Sequence, residues 1–201
     1  MKVDVMSAAI TETETVPSRV SMSAEELLAL SNEKGLELVD GQLVEHRMGF
    51  GSSHIALHLA ALLFMFNRDH PTGWVQSCEC GFKLPLPGGD TVRKPDVAFV
   101  SFQRLPAAGQ FPDGYPAVAP DLAVEVVSPN DLFYEVETKL KEYLQAGVRL
   151  IWIINPSTRS VQICRQDGTS ARLSETDELD GEDVLPGFRC SISSLLEVPH
   201  S

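Results

Sequence analysis

The chain has 201 residues, of which 43% are hydrophobic and 22% charged, as expected for a globular protein with a substantial core. Its net charge of −12 argues against non-specific binding to nucleic acid, because phosphate contacts need clustered Lys and Arg. The start of the chain has no signal-peptide pattern, and no apolar stretch reaches the roughly 18 residues that span a bilayer. We therefore expect a cytoplasmic protein without membrane contacts.

The first elements of the chain are predicted from capping and turn residues. Residues 1–20 are polar and Thr-rich, which predicts a flexible N-terminal arm before a single domain over 21–201. Ser23 is typical of an N-cap and predicts a helix to about Lys34. Two short apolar runs flank Asp40-Gly41, which predicts a tight β-hairpin over residues 36–45.

The middle of the chain alternates between helical and extended patterns. Apolar residues recur at intervals of three and four between Ser53 and Arg68, which predicts a helix. Trp74–Leu86 and Val92–Phe102 are predicted as two strands. Residues 103–119 are rich in Pro, Gly and Ala and are predicted to form a loop.

The last part of the chain predicts a mixed sheet. Ala119–Val127 is apolar on both faces, as in a central strand, and precedes a helix capped by Asn130 or Asp131. One crossover helix between apolar strands, among otherwise consecutive strands, indicates an α/β (α+β) fold with a mixed central β-sheet flanked by α-helices. The remaining predicted elements are strands at 150–154, 160–165 and 171–173 and a short helix at 191–197.

Two acids stand where apolar side chains are expected. Asp96 opens the run Val97–Val100, and Glu125 interrupts an apolar strand face. Buried carboxylates are costly unless they are paired, and a divalent cation relieves the repulsion between two of them. Asp121 shares the face of Glu125 but lies four residues away, at about 13 Å, which is too far to share an ion. The alternatives are a strand-entry cap for Asp96 and a buried ion pair for Glu125.

Further charged residues are candidates for the same site. Lys139 and Lys141 flank the apolar stripe of the helix that follows Glu125, and spacing alone does not choose between them. Glu37 could supply a third carboxylate or face solvent on the hairpin. His54 and His58 lie four apart, as zinc ligands can, but without a third ligand a capping or surface role is favoured.

Several segments resemble, in order and spacing, the Uma-two family of predicted restriction endonucleases, which is similar to a branch of the PD-(D/E)xK nuclease superfamily. The resemblance extends from residue 23 to about 190. It is carried by Glu37-Leu38-Val39-Asp40-Gly41, Ser53-His54, Lys94-Pro95-Asp96-Val97, Pro120 to Pro129, Lys139 to Tyr143, Gly147-Val148 and Trp152 to Pro156.

The resemblance implies a restriction-endonuclease-like core and a metal site for Mg²⁺ (or Mn²⁺). Asp96 and Glu125 take the places of the two motif acids, with the backbone carbonyl of Val126 as a further ligand. Val127 stands at the usual lysine position, so the lysine role is carried to Lys139, and Glu37 matches the early glutamate of the family.

The activity implied is that of a Mg²⁺-dependent DNA endonuclease, and by analogy with related nucleases a homodimer. The alternative is a catalytically inactive protein of nuclease fold that acts as a binding or assembly module.

Overall fold

A computed structural model describes residues 21–46, 48–129 and 131–198, so the predicted arm over 1–20 lies outside the described residues. The described helices are α1 (Ala24–Leu28), α2 (Phe50–Asp69), α3 (Phe133–Ala146) and α4 (Ile192–Leu195). The described strands are β1 (Leu36–Val39), β2 (Gln42–Glu45), β3 (Gly73–Ser77), β4 (Phe82–Lys83), β5 (Val92–Arg93), β6 (Val97–Ser101), β7 (Leu122–Val126), β8 (Leu150–Asn155), β9 (Ser160–Arg165), β10 (Ser170–Ser174), β11 (Glu178–Asp180) and β12 (Arg189–Ser191).

A six-stranded mixed sheet forms the centre of the fold, in the order β10-β9-β8-β7-β6-β3. β7 and β8 are parallel and are joined by α3, whereas the other neighbours are antiparallel. A second sheet has the order β2-β1-β5-β4, and β11 pairs with β12 in a third. The predicted mixed sheet flanked by helices is confirmed.

Side-chain alternation divides the core between the two faces of the six-stranded sheet. Leu122 and Val124 pack in the cluster that includes α2, whereas Ala123 packs in the cluster that includes α3. β7 is buried throughout, as a central strand should be. Glu125 has the parity of Ala123, so its side chain lies on the α3 face.

The two longest predicted strands are each broken between the sheets, which corrects the sequence prediction. β3 ends at a turn in which Cys80 N–H donates to Ser77 O over 3.0 Å. β5 and β6 are separated by Lys94-Pro95-Asp96, where Pro95 cannot donate an N–H to a continuing ladder. The break places Asp96 at the junction of the two sheets.

Two helix ends differ from the prediction. α1 ends at Leu28, well before Lys34, and is followed by turns. Asp131 is not the cap of α3, because its carboxylate accepts the Ser128 N–H at 2.7 Å. Leu132 occupies the cap position, with its N–H donating to Glu135 at 3.2 Å. The alternative cap, Asn130, lies outside the described residues.

α2 has the length and composition of a membrane-spanning helix, with a mean hydropathy of 1.3 over its best window. The prediction that no stretch is long and apolar enough to span a bilayer is wrong by this measure. His and Ser residues interrupt the apolar run, but the mean hydropathy of the window stays high. Length and composition alone do not separate a spanning helix from a core helix. In this fold the inner face of α2 packs on the sheet through Ile55, Leu59 and Leu63.

Candidate functional site

Asp96 and Glu125 are brought to neighbouring positions on the α3 face of the central sheet. β6 and β7 pair with Val97 opposite Val124, and one further step in this antiparallel register places Asp96 opposite Glu125. Both residues are buried, with 3% and 7% of their surface exposed. The sequence prediction that these two acids converge therefore has a direct basis in the register.

The Asp96 carboxylate is fixed by the backbone of β7. Its Oδ2 accepts the Val126 N–H at 2.6 Å. The N–H and C=O of a residue in an extended strand point to the same side, so the Val126 carbonyl also faces the edge that carries Asp96. Continuing the register sets Val126 opposite Pro95, which has no N–H to donate to that carbonyl.

Lys139 reaches the two glutamates from α3. Its Nζ lies 3.1 Å from Glu125 Oε2 and 3.3 Å from Glu37 Oε1. Lys141, two residues along the helix, is exposed. The helix orientation therefore directs Lys139, and not Lys141, to the carboxylates, a choice that sequence spacing alone left open.

Glu37 lies on β1 with only 1% of its surface exposed, and so it does not face solvent on the hairpin. Its Oε2 accepts from Arg93 Nη1 at 2.8 Å, and its Oε1 accepts the Lys94 N–H at 2.8 Å. Arg93 also donates through Nε to Glu142 of α3 at 2.6 Å. These contacts tie β1 and β5 of the second sheet to α3.

His46 is a site residue that the sequence analysis missed. It follows β2, and its Nε2 lies 3.2 Å from Asp96 Oδ1 while its Nδ1 lies 3.4 Å from Lys139 Nζ. Its position between these two groups could not be read from the pattern, because it depends on how the hairpin docks onto the central sheet.

Tyr143 is the second unpredicted member of the site. It is fully buried on α3, one turn after Lys139, and its hydroxyl donates to Glu125 Oε1 at 2.6 Å. The spacing of four residues was a usable signal, since positions i and i+4 share a helix face.

Burial and charge set the protonation states of these groups. Burial raises the pKa of Glu125, and Asp96 and Glu37 raise it further against the opposing effect of Lys139. Burial lowers the pKa of Lys139, but Glu125 and Glu37 outweigh it, so the pKa lies above its ordinary value. For Glu37, burial raises the pKa, but Lys139 and Arg93 outweigh it, so the net shift is downward.

His46 experiences opposing effects of the same kind. Burial lowers the pKa of His46, and Lys139 lowers it further, but the hydrogen bond to Asp96 and the charges of Glu37 and Glu125 together outweigh them, so the net shift is upward. Together these shifts describe a site with surplus negative charge, in which Lys139 stays protonated near neutral pH.

A cavity of about 250 Å³, which we call the site cavity, is lined by four of these groups, Glu37, His46, Glu125 and Lys139, but not by Asp96. Its lining also includes four exposed residues that we call its mouth, namely Glu45, Asp131, Tyr134 and Glu135. Solvent and a small substrate group can therefore reach Lys139 without rearrangement of the sheet.

The other acids and histidines that the sequence analysis considered lie outside the site. Asp121 accepts the Ser101 N–H at 2.8 Å and pairs with Arg104 at 3.0 Å, which is a structural role. His54 is exposed on α2. Within the described residues, no group of three His, Cys, Asp or Glu side chains is arranged to hold a metal ion, so His54 and His58 have no third ligand there.

The chemistry of the donors nevertheless suits a hard divalent cation. Mg²⁺ is commonly bound through one or two carboxylates, with waters completing its shell. Asp96, Glu125 and the Val126 carbonyl supply oxygen donors at one edge of β7. Burial is the main cause of the raised Glu125 pKa, and the charges of Asp96 and Glu37 raise it further. The residues therefore fit Mg²⁺ or Mn²⁺ better than zinc.

Comparison with known proteins identifies the fold and the family of the chain. A solved structure described as "a putative nuclease belonging to DUF820" from Anabaena variabilis superposes with a TM-score of 0.71 at 18% identity. The match covers 87% of this chain and 97% of that chain, which shows a shared fold. No protein with a curated description matches the chain. The family model for Uma2, described as "Putative restriction endonuclease", matches residues 24–193, and the chain therefore belongs to the Uma2 family.

Proposed function

We propose that the protein is a Mg²⁺-dependent DNA endonuclease, with Mn²⁺ as an alternative ion, that cleaves phosphodiester bonds with an activated water. The observation that carries the proposal is the position of Lys139, at 3.1 Å from Glu125 and 3.3 Å from Glu37, beside the Asp96–Glu125 pair. It supplies from a helix the cation that the strand lacks at Val127. Membership of the Uma2 family supports the same activity.

Asp96, Glu125 and the Val126 carbonyl would hold the ion in this proposal. When bound, the ion would acidify a water and offset charge on the scissile phosphate. Val126 N–H and His46 orient the Asp96 carboxylate, and Tyr143 orients that of Glu125. The ligand oxygens are thus positioned before any ion binds, which lowers the reorganisation required.

Lys139 acts as a charged donor rather than as a base. Burial disfavours its charge, but Glu125 and Glu37 raise its pKa above the ordinary value, so the ammonium is retained at neutral pH. An ammonium can donate to the attacking water and to the negative charge that develops on the phosphate. Glu37 is a positioning residue, because it holds Lys139 and Arg93 at the site.

The test is cleavage of plasmid and oligonucleotide DNA by purified protein with Mg²⁺ or Mn²⁺. Asp96→Asn should abolish cleavage and weaken Mn²⁺ binding in titration calorimetry, because it removes one ligand charge at constant shape. Asp113→Asn, in an exposed loop, is the matched control and should change neither. Equal cleavage by wild type and Asp96→Asn would contradict the proposal.

A binding or assembly role without catalysis is the second candidate. Two observations favour it: Val127 stands at the usual lysine position, and Glu45, Asp131 and Glu135 at the cavity mouth repel phosphate. Nucleic-acid or protein binding that persists with no metal-dependent cleavage would support it. A homodimer remains a prediction by analogy, and the molar mass from light scattering on the purified protein tests it.

A further inference from the structure

A second groove adjoins the site cavity on the α3 face of the sheet and has a volume of about 520 Å³. We call it the lateral groove and define it by Val127, Phe133, Val136, Ile153, Gln162 and Arg172. Val127, Asp131 and Val136 line both the lateral groove and the site cavity. A ligand can therefore extend from one into the other without a break.

The strand register connects the two ends of this surface. Glu125 is opposite Ile153, Ile153 is opposite Gln162, and Gln162 is opposite Arg172. The four residues form one row across the sheet on a single face, and three strand spacings separate Glu125 from Arg172 by about 14 Å. Arg172 is thus a few nucleotides' length from the proposed metal ligands along a direct path.

Arg172 has an unusual environment for an arginine of this chain. Every other arginine in residues 21–46, 48–129 and 131–198 forms an ion pair with a carboxylate. Arg172 instead donates from Nη2 to the neutral Ser160 hydroxyl at 3.2 Å. Asp131 and Glu137 also line the groove, but no carboxylate of the described residues forms an ion pair with Arg172 there. In a protein with 28 acidic residues, an arginine without such a partner is suited to an anionic ligand.

Exposed aromatic rings stand at the boundary between the groove and the cavity. Phe133 is 81% exposed and lines the lateral groove, and Tyr134 is 63% exposed and lines the site cavity. Both belong to the first turn of α3, whose backbone holds them in place. Aromatic faces of this kind stack on unpaired bases, and stacking is insensitive to base identity.

We infer that the lateral groove binds a nucleic-acid strand with unpaired bases beside the scissile phosphate, with Arg172 on a backbone phosphate and Phe133 stacked on a base. A duplex presents two phosphate backbones and hides its base faces, which fits poorly with one arginine beside exposed aromatic rings. The inference rests on the proposed function, because it identifies the substrate class of that site as single-stranded or locally unpaired nucleic acid.

The test separates binding from cleavage. Fluorescein-labelled single-stranded and duplex oligonucleotides are titrated by anisotropy without divalent metal, at several salt concentrations. Wild type should bind the single strand more tightly than the duplex. Phe133→Ala should weaken single-strand binding about tenfold. Arg172→Ala should weaken it about fivefold and reduce the salt slope by about one.

Phe64→Ala, an exposed aromatic on α2, and Arg189→Ala, an exposed ion-paired arginine, are the matched controls and should bind as wild type. Circular dichroism melting of every variant establishes that the fold is intact. Tighter binding of the duplex, or unchanged binding by Phe133→Ala and Arg172→Ala, overturns the inference. If the inference is overturned in this way but cleavage still depends on Asp96, the nuclease proposal stands. If Phe133→Ala and Arg172→Ala weaken binding but no cleavage is seen, only the nuclease proposal is contradicted.

Discussion

Replacement of Lys139 by Met should destabilise the protein in a pH-dependent manner. The change removes the 3.1 Å contact to Glu125 and the 3.3 Å contact to Glu37 but keeps the length of the side chain. Glu37 retains Arg93 and the Lys94 N–H, whereas Glu125 retains Tyr143 as its remaining donor here. Removing one partner of a buried ion pair lowers the free energy of unfolding by about 3–5 kcal/mol. Because these donors still contact the two glutamates, we expect a loss of about 2–3 kcal/mol at pH 8.

The sign of the pH dependence follows from Glu125. Burial already raises its pKa above the ordinary 4.5, and loss of Lys139 removes the main opposing charge. A carboxyl with a raised folded-state pKa binds more protons folded than unfolded, so stability falls as pH rises from about 4.5 through that raised pKa. The variant should therefore be closer to wild type at about pH 5 than at about pH 8.

Urea unfolding of both proteins at the two pH values measures these differences. Lys141→Met is the matched control, since Lys141 is exposed on the same helix, and should lie within about 0.5 kcal/mol of wild type at both. A Lys139→Met variant no less stable than Lys141→Met would refute the ion-pair reasoning. A pH-independent loss would refute the assignment of the effect to Glu125.

Three further outcomes are expected. Tyr143→Phe should cost about 2 kcal/mol in urea unfolding, because it removes a 2.6 Å hydrogen bond to a buried carboxylate, and an unchanged midpoint would contradict this. Gly41→Ala should lower the free energy of unfolding by at least about 1–2 kcal/mol, because φ is +73° and the added Cβ would approach Ser21 Oγ. Gly51→Ala is the control, since the space around Gly51 is open, and this change should leave the free energy of unfolding unchanged or raise it. Asp90→Asn should lower the free energy of unfolding by about 0.5–1 kcal/mol at neutral pH and leave it unchanged in strong acid. Lys83 and the Ala24 N–H lower the Asp90 pKa, so the stability that this carboxylate contributes is lost as pH falls through that pKa. A difference between the two proteins that persists in strong acid would count against this linkage.

The sequence predicted those parts of the fold that depend on local patterns. The hairpin at Asp40-Gly41 and the central strand around Glu125 follow from turn chemistry and from burial on both faces. The convergence of Asp96 and Glu125 was also foreseeable, since adjacent antiparallel strands place residues of one face together. The break at Lys94-Pro95 was readable in principle from the proline.

Other features depended on tertiary docking and had no local signal. The choice of Lys139 over Lys141 required the rotation of α3 on the sheet, because both lysines have a glutamate four residues earlier. His46 required the position of the hairpin relative to β7. Phe133 fits the apolar stripe of α3 by its spacing, and only its 81% exposure in the structure distinguishes it as a surface group.

The site gathers groups that are far apart along the chain: His46 and Lys139 are separated by 93 residues, and Glu37 comes still earlier. Contacts of such long range carry a loop-closure entropy cost, because the chain between the two residues must close into a large loop. A chain still emerging from the ribosome has Asp96 and Glu125 before it has Lys139. If the protein cleaves DNA, its site is therefore incomplete on any nascent chain that does not yet include α3.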